Sequence, residues 1–364
     1  MNPLLSEIRH NRLLWLLVAV PVALVMARTH SGAHLLLFAL SIFAIVPLAA
    51  LLSLATEAVA SKTGDAIGGL LNATLGNLTE MVIALTALSA GQYMLVKASI
   101  AGVIVTNCLF MLGTSFLLGG LKYHKQEYNR GGARLQAGLL FLATIALLIP
   151  SAVAQADSPA ATVFTEKLSL GLAVLLIVTY GLFLLFSLKT HRQFFVGAKH
   201  DEHGDAPWPM SLALVTLAGV TVLVAMVSHV FVESVQHAAE TLGMTPAFVG
   251  FIIVALVGGA AEMTSAFAGA RKDRLDLSVG IALGSASQIA LFVAPVMVVV
   301  SYFVGPTPMD LQFWPGAVVM MLIATLTVAL VTNNGWSAWF IGVLVLMVYV
   351  VFAMTLYLLP PRVA

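Results

Sequence analysis

Apolar residues run along this chain in long unbroken stretches, without the two-residue alternation of a half-buried strand or the narrow stripe of a surface helix. Eleven stretches are long enough, at roughly 20 residues each, to cross a hydrocarbon core as helices. They lie near residues 12–27, 34–56, 67–90, 97–120, 134–154, 166–188, 210–233, 245–270, 275–303, 310–332 and 335–358. The predicted fold is an all-α polytopic membrane protein with eleven transmembrane helices. The first stretch has the outline of a signal peptide, with Arg9 and Arg12 ahead of an apolar run that ends Val25-Met26-Ala27. Removing it would take away the basic anchor of the topology, so it is read as a retained helix.

Two stretches interrupt the apolar pattern with a carboxylate near their middle. One reads Gly76-Asn77-Leu78-Thr79-Glu80 and the other Gly258-Gly259-Ala260-Ala261-Glu262. A carboxylate at that depth costs about 2.5 to 3.5 kcal/mol if it faces lipid, so such residues line a protein interior or a water-filled path. The two are related by register. At an offset of 182, Gly68 meets Gly250, Gly76 meets Gly258, Glu80 meets Glu262, Met81 meets Met263, Gly102 meets Gly284, and Leu109-Phe110 meets Leu291-Phe292. That offset spans five crossings, an odd number, so the second copy enters the membrane from the opposite side. The expected organisation is an extra N-terminal helix (1–30), a first five-helix repeat (34–190), a cytoplasmic linker (191–209) and a second, inverted five-helix repeat (210–358).

Composition narrows the class further. Hydrophobic residues make up 60% of the 364, charged ones 9%, and the mean hydropathy is +1.01, far from soluble domains. A net charge of +1 offers nothing to nucleic acid, and lipid is the expected surroundings. No cofactor motif is present; a homo-oligomer is compatible with the sequence. The lone Cys108 cannot form an internal disulfide. Basic residues set the orientation. With the N-terminus cytoplasmic, Arg9, Arg12, Lys62, Lys122, Lys125, Arg130, Arg134, Lys189, Arg192, Lys199, Arg271, Lys272 and Arg274 all fall inside, against Arg28, Lys97, Lys167 and Arg362 outside. This asymmetry places the C-terminus outside, in what is read as a bacterial inner (cell) membrane.

At 100° per residue, Asn72, Gly76, Thr79 and Glu80 share an arc of about 100°, and Gly258, Glu262, Ser265 and Gly269 one of about 60°. Glycine one turn before each glutamate allows the helix to loosen and turn carbonyl oxygens toward a cavity. The following spans add Thr106 and Asn107 after Gly102, and Ser285, Ser287 and Gln288 after Gly284. These neutral groups suit a hard cation or its waters, although hydrogen bonding between helices would use them equally well. Glu57 and Glu233, near span edges, are candidate mouths of a proton path. His191, His200, Asp201, Glu202, His203 and Asp205 are read as a solvated linker.

The run from Thr56-Glu57 through Gly68-Gly69-Leu70-Leu71-Asn72-Ala73-Thr74-Leu75-Gly76-Asn77-Leu78-Thr79-Glu80 resembles the first repeat of the calcium/proton exchangers, a branch of the calcium/cation antiporter superfamily, whose signature is Gly-Asn-x-x-Glu. Leu283-Gly284-Ser285-Ala286-Ser287-Gln288-Ile289-Ala290-Leu291-Phe292-Val293-Ala294-Pro295 resembles the second. The likeness implies that Glu80 and Glu262 bind Ca²⁺ and protons in turn, with Asn77, Thr106 and Gln288 near the ion. Two departures stand out: Gly259 replaces an asparagine, and Met263 a histidine, of the family's second motif.

Exchange also follows from the residues. Two ionised carboxylates in a poorly solvated site repel, so protons or a cation must neutralise them before the carrier crosses. Oxygen ligands without Cys or His favour Ca²⁺ or Na⁺ over zinc or copper, and a carboxylate pair favours a divalent ion. A Na⁺(K⁺)/H⁺ antiporter of the same fold is the first alternative and a cation channel the second. An intramembrane enzyme is disfavoured, because the aspartate motifs of membrane proteases are absent.

Overall fold

A computed structural model describes residues 3–63, 65–153, 159–191 and 208–358, so most of the linker, including His200, Asp201, Glu202, His203 and Asp205, lies outside the described residues. After a short amphipathic helix α1 (Pro3–His10), the chain is almost wholly helical. The crossing elements are α2 (Arg12–Thr29), α3 (His34–Ala60), the pair α4 (Asp65–Leu75) and α5 (Leu78–Ser89), α6 (Tyr93–Tyr123), α7 (Arg130–Val153), α8 (Thr162–Thr190), α9 (Met210–Thr241), the pair α10 (Pro246–Gly258) and α11 (Ala260–Arg271), α12 (Leu275–Val300), α13 (Pro315–Asn334) and α14 (Trp339–Leu358). Among the described residues nine helices are long and apolar enough to cross a membrane alone, and eleven if each bent pair counts as one span.

The positions follow the hydropathic reading, with corrections at the ends: α9 runs on to Thr241 where 233 is expected, and the spans near residues 275–303 and 310–332 stop and start elsewhere. α12 ends at Val300 and α13 begins at Pro315, because Gly305, with φ of +111°, and Pro306 and Pro308 cannot continue a helix. The intervening chain is held instead by hydroxyls: Ser169 Oγ accepts from Leu311 N at 3.0 Å and Ser151 Oγ from Phe313 N at 2.8 Å.

Loops that alternate crossing should bring to one side do gather there. β1 (Lys125–Glu127), after α6, pairs antiparallel with β2 (Trp336–Ala338), before α14. Gln126 Nε2 donates to the α11 C-terminal carbonyl of Ala270 at 3.0 Å and to Asp273 at 2.8 Å. At the opposite end, Tyr93 donates to the Thr307 carbonyl at 2.6 Å, Lys97 pairs with Asp310, and His34 of α3 stacks on His237 of α9 with centroids 4.3 Å apart. Lys122, Lys125, Arg130, Arg271, Lys272 and Arg274 share the first end.

The centre of the bundle is built from α6 and α12. Their apolar windows are 89% and 67% buried, against 17% for the leading α2. α6 reaches α10 by close approach: Gly102 lies against the Phe251 backbone so tightly that a Cβ would collide with it. Both central helices widen into a π-helical turn, at Thr106–Met111 and at Ile289–Val293. Such turns rotate the following side chains off the helical register and are common at functional sites. Here they adjoin the polar residues Thr106, Asn107 and Gln288.

Candidate functional site

The spans that carry the carboxylates are broken at the glycines. α4 and α5 meet at 43° across Gly76 and Asn77, and α10 and α11 at 60° across Gly259. Asn77 takes φ −101°, ψ 28° and Gly259 φ −79°, ψ 8°, both outside helical values. Each glutamate is thereby the third residue of a new helix, Glu80 in α5 and Glu262 in α11. An N-terminal turn has free N–H groups and a positive end, worth about 0.3 to 2 kcal/mol to an anion. Burial of a lone carboxylate costs more than that, so the helix ends orient the charges without neutralising them.

Packing brings the two motifs together. A Cβ placed on Gly258 would lie 3.1 Å from Glu80 Cγ and 3.5 Å from its Oε1, so glycine lets the Glu80 side chain pack tightly beside the second break. Gly258 lies one helical turn before Glu262, so the contact sets Glu80 beside the segment that carries the second carboxylate. Glu80 is buried, whereas Glu262 is half-buried with Oε2 shielded from solvent and without a hydrogen-bond partner among the described residues.

A relay of neutral groups joins the breaks. Asn107 Nδ2 donates to Ser285 Oγ at 2.9 Å, Ser285 Oγ donates to Asn77 Oδ1 at 2.8 Å, and Asn77 Nδ2 donates to Gln288 Oε1. Asn77 occupies the cap position of α5, yet its side chain is spent on α12 rather than on the helix end. The relay leaves Asn107 Oδ1 and Ser287 Oγ buried without partners among the described residues. The Asn107 oxygen sits 3.9 Å from where a Cβ of residue 259 would be, on the side where the second motif has no amide of its own. Thr106 is buried one residue away but bonds the Tyr349 hydroxyl at 3.3 Å.

The structure thus gathers Glu80, Glu262, Asn77, Gly76, Gly258, Gly259, Asn107, Ser285 and Gln288, with Thr79 and Thr106 buried beside them. The expected helical seams need correcting. Asn72 is exposed, because its arc with Glu80 assumed a straight span and the break at Gly76 and Asn77 lies between them; Ser265 is exposed as well, although it shares a half-helix with Glu262. Glu233 is exposed and paired with His229 on the same helix at 3.2 Å. Glu57 is exposed at the end of α3. Among the described residues no three His, Cys, Asp or Glu side chains converge as a metal cluster, so a cation here would meet two carboxylates and neutral oxygens. The residues that sequence reasoning missed are Tyr180 and Tyr349, each a phenol inside an apolar span; a hydroxyl there needs a partner, and that was the available signal.

A family model described as sodium/calcium exchanger protein matches residues 33–189 and again 212–358. A Ca(2+)/H(+) antiporter of Aphanothece halophytica is 38% identical over 359 residues, covering 95% of this chain and 96% of that protein. The Ca(2+)/H(+) antiporter ChaA of Bacillus subtilis (strain 168) is 39% identical over 355 residues, covering 96% and 100%. The solved structure of native YfkE superposes with a TM-score of 0.81 at 36% identity, covering 94% of this chain and 98% of that one.

Proposed function

Because the chain belongs to the sodium/calcium exchanger protein family, we propose that it is a secondary active antiporter that exchanges Ca²⁺ for H⁺ by alternating access. Its relatives of 38% and 39% identity are Ca²⁺/H⁺ antiporters over nearly their full length, which supports cation/proton exchange and favours calcium over sodium or potassium. The observation that carries the mechanism is the approach of the two breaks, with Gly258, one turn before Glu262, packed on the Glu80 side chain.

In this reading Glu80 and Glu262 hold either the cation or protons. Asn77, Asn107, Ser285 and Gln288 keep the carboxylates apart and supply neutral oxygen. Two ionised carboxylates without a cation are the costly state in a medium of low dielectric. That state is the one in which the carrier does not cross, and coupling follows. Each repeat supplies one glutamate, and the repeats are inverted, so a small rocking of one against the other exposes the pair first to one side and then to the other. The N-terminus is cytoplasmic and the C-terminus outside, on the strength of the basic residues collected at one end of the bundle.

The test is proton movement in everted membrane vesicles, followed with a pH dye while Ca²⁺, Na⁺, K⁺ or Mn²⁺ is added. Saturable proton movement driven by Ca²⁺ is expected. Movement driven by Na⁺ or K⁺ alone would replace calcium as the cargo, and non-saturating cation flux indifferent to a pH gradient would indicate a channel.

A further inference from the structure

The first break leaves a backbone carbonyl to be satisfied within the bundle. In an unbroken helix the Ala73 carbonyl would accept from the N–H four residues on, that of Asn77. The chain leaves the helix between Leu75 and Leu78, and the Ala73 carbonyl accepts instead from the Tyr180 hydroxyl of α8 at 2.7 Å. A carbonyl without a partner is expensive in an apolar interior, so whatever satisfies it favours the broken form of the span over the straight one. Tyr180 is buried, and its ring stacks on Phe292 at 5.3 Å. Phe292 belongs to the π-helical turn that follows Gln288, the partner of Asn77. One side chain therefore holds the end of α4 and braces the part of α12 that clamps Asn77.

The second half has the corresponding ring but not the same bond. Phe110, 182 residues before Phe292, packs tilted by 42° on Tyr349 with centroids 5.2 Å apart, and the Tyr349 hydroxyl meets the Thr106 side chain rather than a main-chain carbonyl.

We propose that Tyr180 is a positioning residue for cation binding, which keeps the first span broken by hydrogen bonding the Ala73 carbonyl and so holds Asn77 and Glu80 toward the site. The proposal rests on the reading of that site as the exchanger's cation site. Without the hydroxyl, the lowest-energy partner for the carbonyl is the Asn77 N–H; the span straightens and Asn77 is drawn away from Ser285 and Gln288.

Tyr180→Phe keeps the ring on Phe292 and removes only the donor. In the vesicle assay its KM for Ca²⁺ should rise about tenfold, the change expected for one lost hydrogen bond, while the maximal rate changes less than the KM. Amide hydrogen exchange in detergent should show the Asn77 N–H slowed relative to the unaltered protein. Phe292→Leu, which leaves the hydroxyl but removes the ring it braces, should shift both readouts the same way by a smaller amount, and serves if Tyr180→Phe does not fold. An unchanged KM, or Asn77 exchange that is unchanged or faster in a folded variant, would overturn the proposal. The exchange measurement needs no transport, so failure of the unaltered protein to move protons would sink the functional reading while leaving the role of Tyr180 to the amide data.

Discussion

The two breaks sit at matching positions in the two repeats, yet they are held very differently. At the first, Asn77 is buried and engaged on both ends of its amide, by Ser285 and Gln288, and the preceding carbonyl of Ala73 is capped by Tyr180. At the second, Gly259 brings no side chain, the bend is sharper at 60° against 43°, and one oxygen of Glu262 has no partner among the described residues. The first break is clamped by side chains from two other spans. At the second, side chains pack directly on bare glycine backbone, with the Glu80 side chain against Gly258 and Met263 Cε 3.3 Å from a Cβ at 259. Two segments can thus keep the same backbone device while differing in what surrounds it: one side presents an amide fixed by its partners, the other a carboxylate with one oxygen unpaired among the described residues.

The largest expected effect removes the feature the two sides share. Glu80→Gln and Glu262→Gln should each reduce Ca²⁺-driven proton movement to background in folded protein, since an amide keeps the shape but carries no exchangeable charge. Near-normal exchange in either variant would show that the halves do not act as one site.

Asn77→Ala attacks the clamped side alone. It unpairs Ser285 and Gln288, at about 1 to 3 kcal/mol for buried groups left unsatisfied, and Ca²⁺ affinity in a binding titration should fall roughly 5- to 100-fold. An affinity within twofold of the unaltered protein would mean that the clamp is structural only.

Gly259→Asn tests the bare side by giving it the amide it lacks. The new Cβ would meet the Ala255 carbonyl at 3.2 Å and the movable Met263 methyl at 3.3 Å, with the free Asn107 oxygen 3.9 Å away to receive its N–H. One added neutral ligand to a cation should tighten Ca²⁺ binding by about 1 to 3 kcal/mol. Weaker binding in a folded variant would show that position 259 exists for backbone approach and has no room for a ligand.

The smallest effect is on pH dependence. Met263→His places an imidazole one residue after Glu262 and should add a titration between about pH 5 and 8 to the transport profile. Protonation at the low end of that window puts a positive charge beside the site, so Ca²⁺ affinity should fall there first. A profile superimposable on that of the unaltered protein would place the side chain at 263 outside the field of the carboxylates.

Much of this molecule could be read before its structure, for reasons that are local. A hydrocarbon core requires about 20 apolar residues per helix, so the approximate positions of the spans follow from composition along the chain; their ends do not, since α9 runs on to Thr241 and the turn around Gly305 delays α13 until Pro315. Glu80 and Glu262 declare themselves because a carboxylate in such a span is costly, and glycine ahead of each marks a place where a helix can open. What the tertiary structure alone decided are relations between residues far apart in the chain. Asn77 meets Ser285 across 208 positions and Gln288 across 211, Asn107 meets Ser285 across 178, and Tyr180 meets Ala73 across 107. Asn72 shares a face with Glu80 only on a straight rod, and the break between them changes the direction of the half-helix that carries it. Hydropathy records how each residue prefers lipid to water, and a helical period records which neighbours share a face of a straight rod. Neither records where a rod bends or which distant side chain takes up the carbonyl that the bend releases, because those are settled by packing among spans.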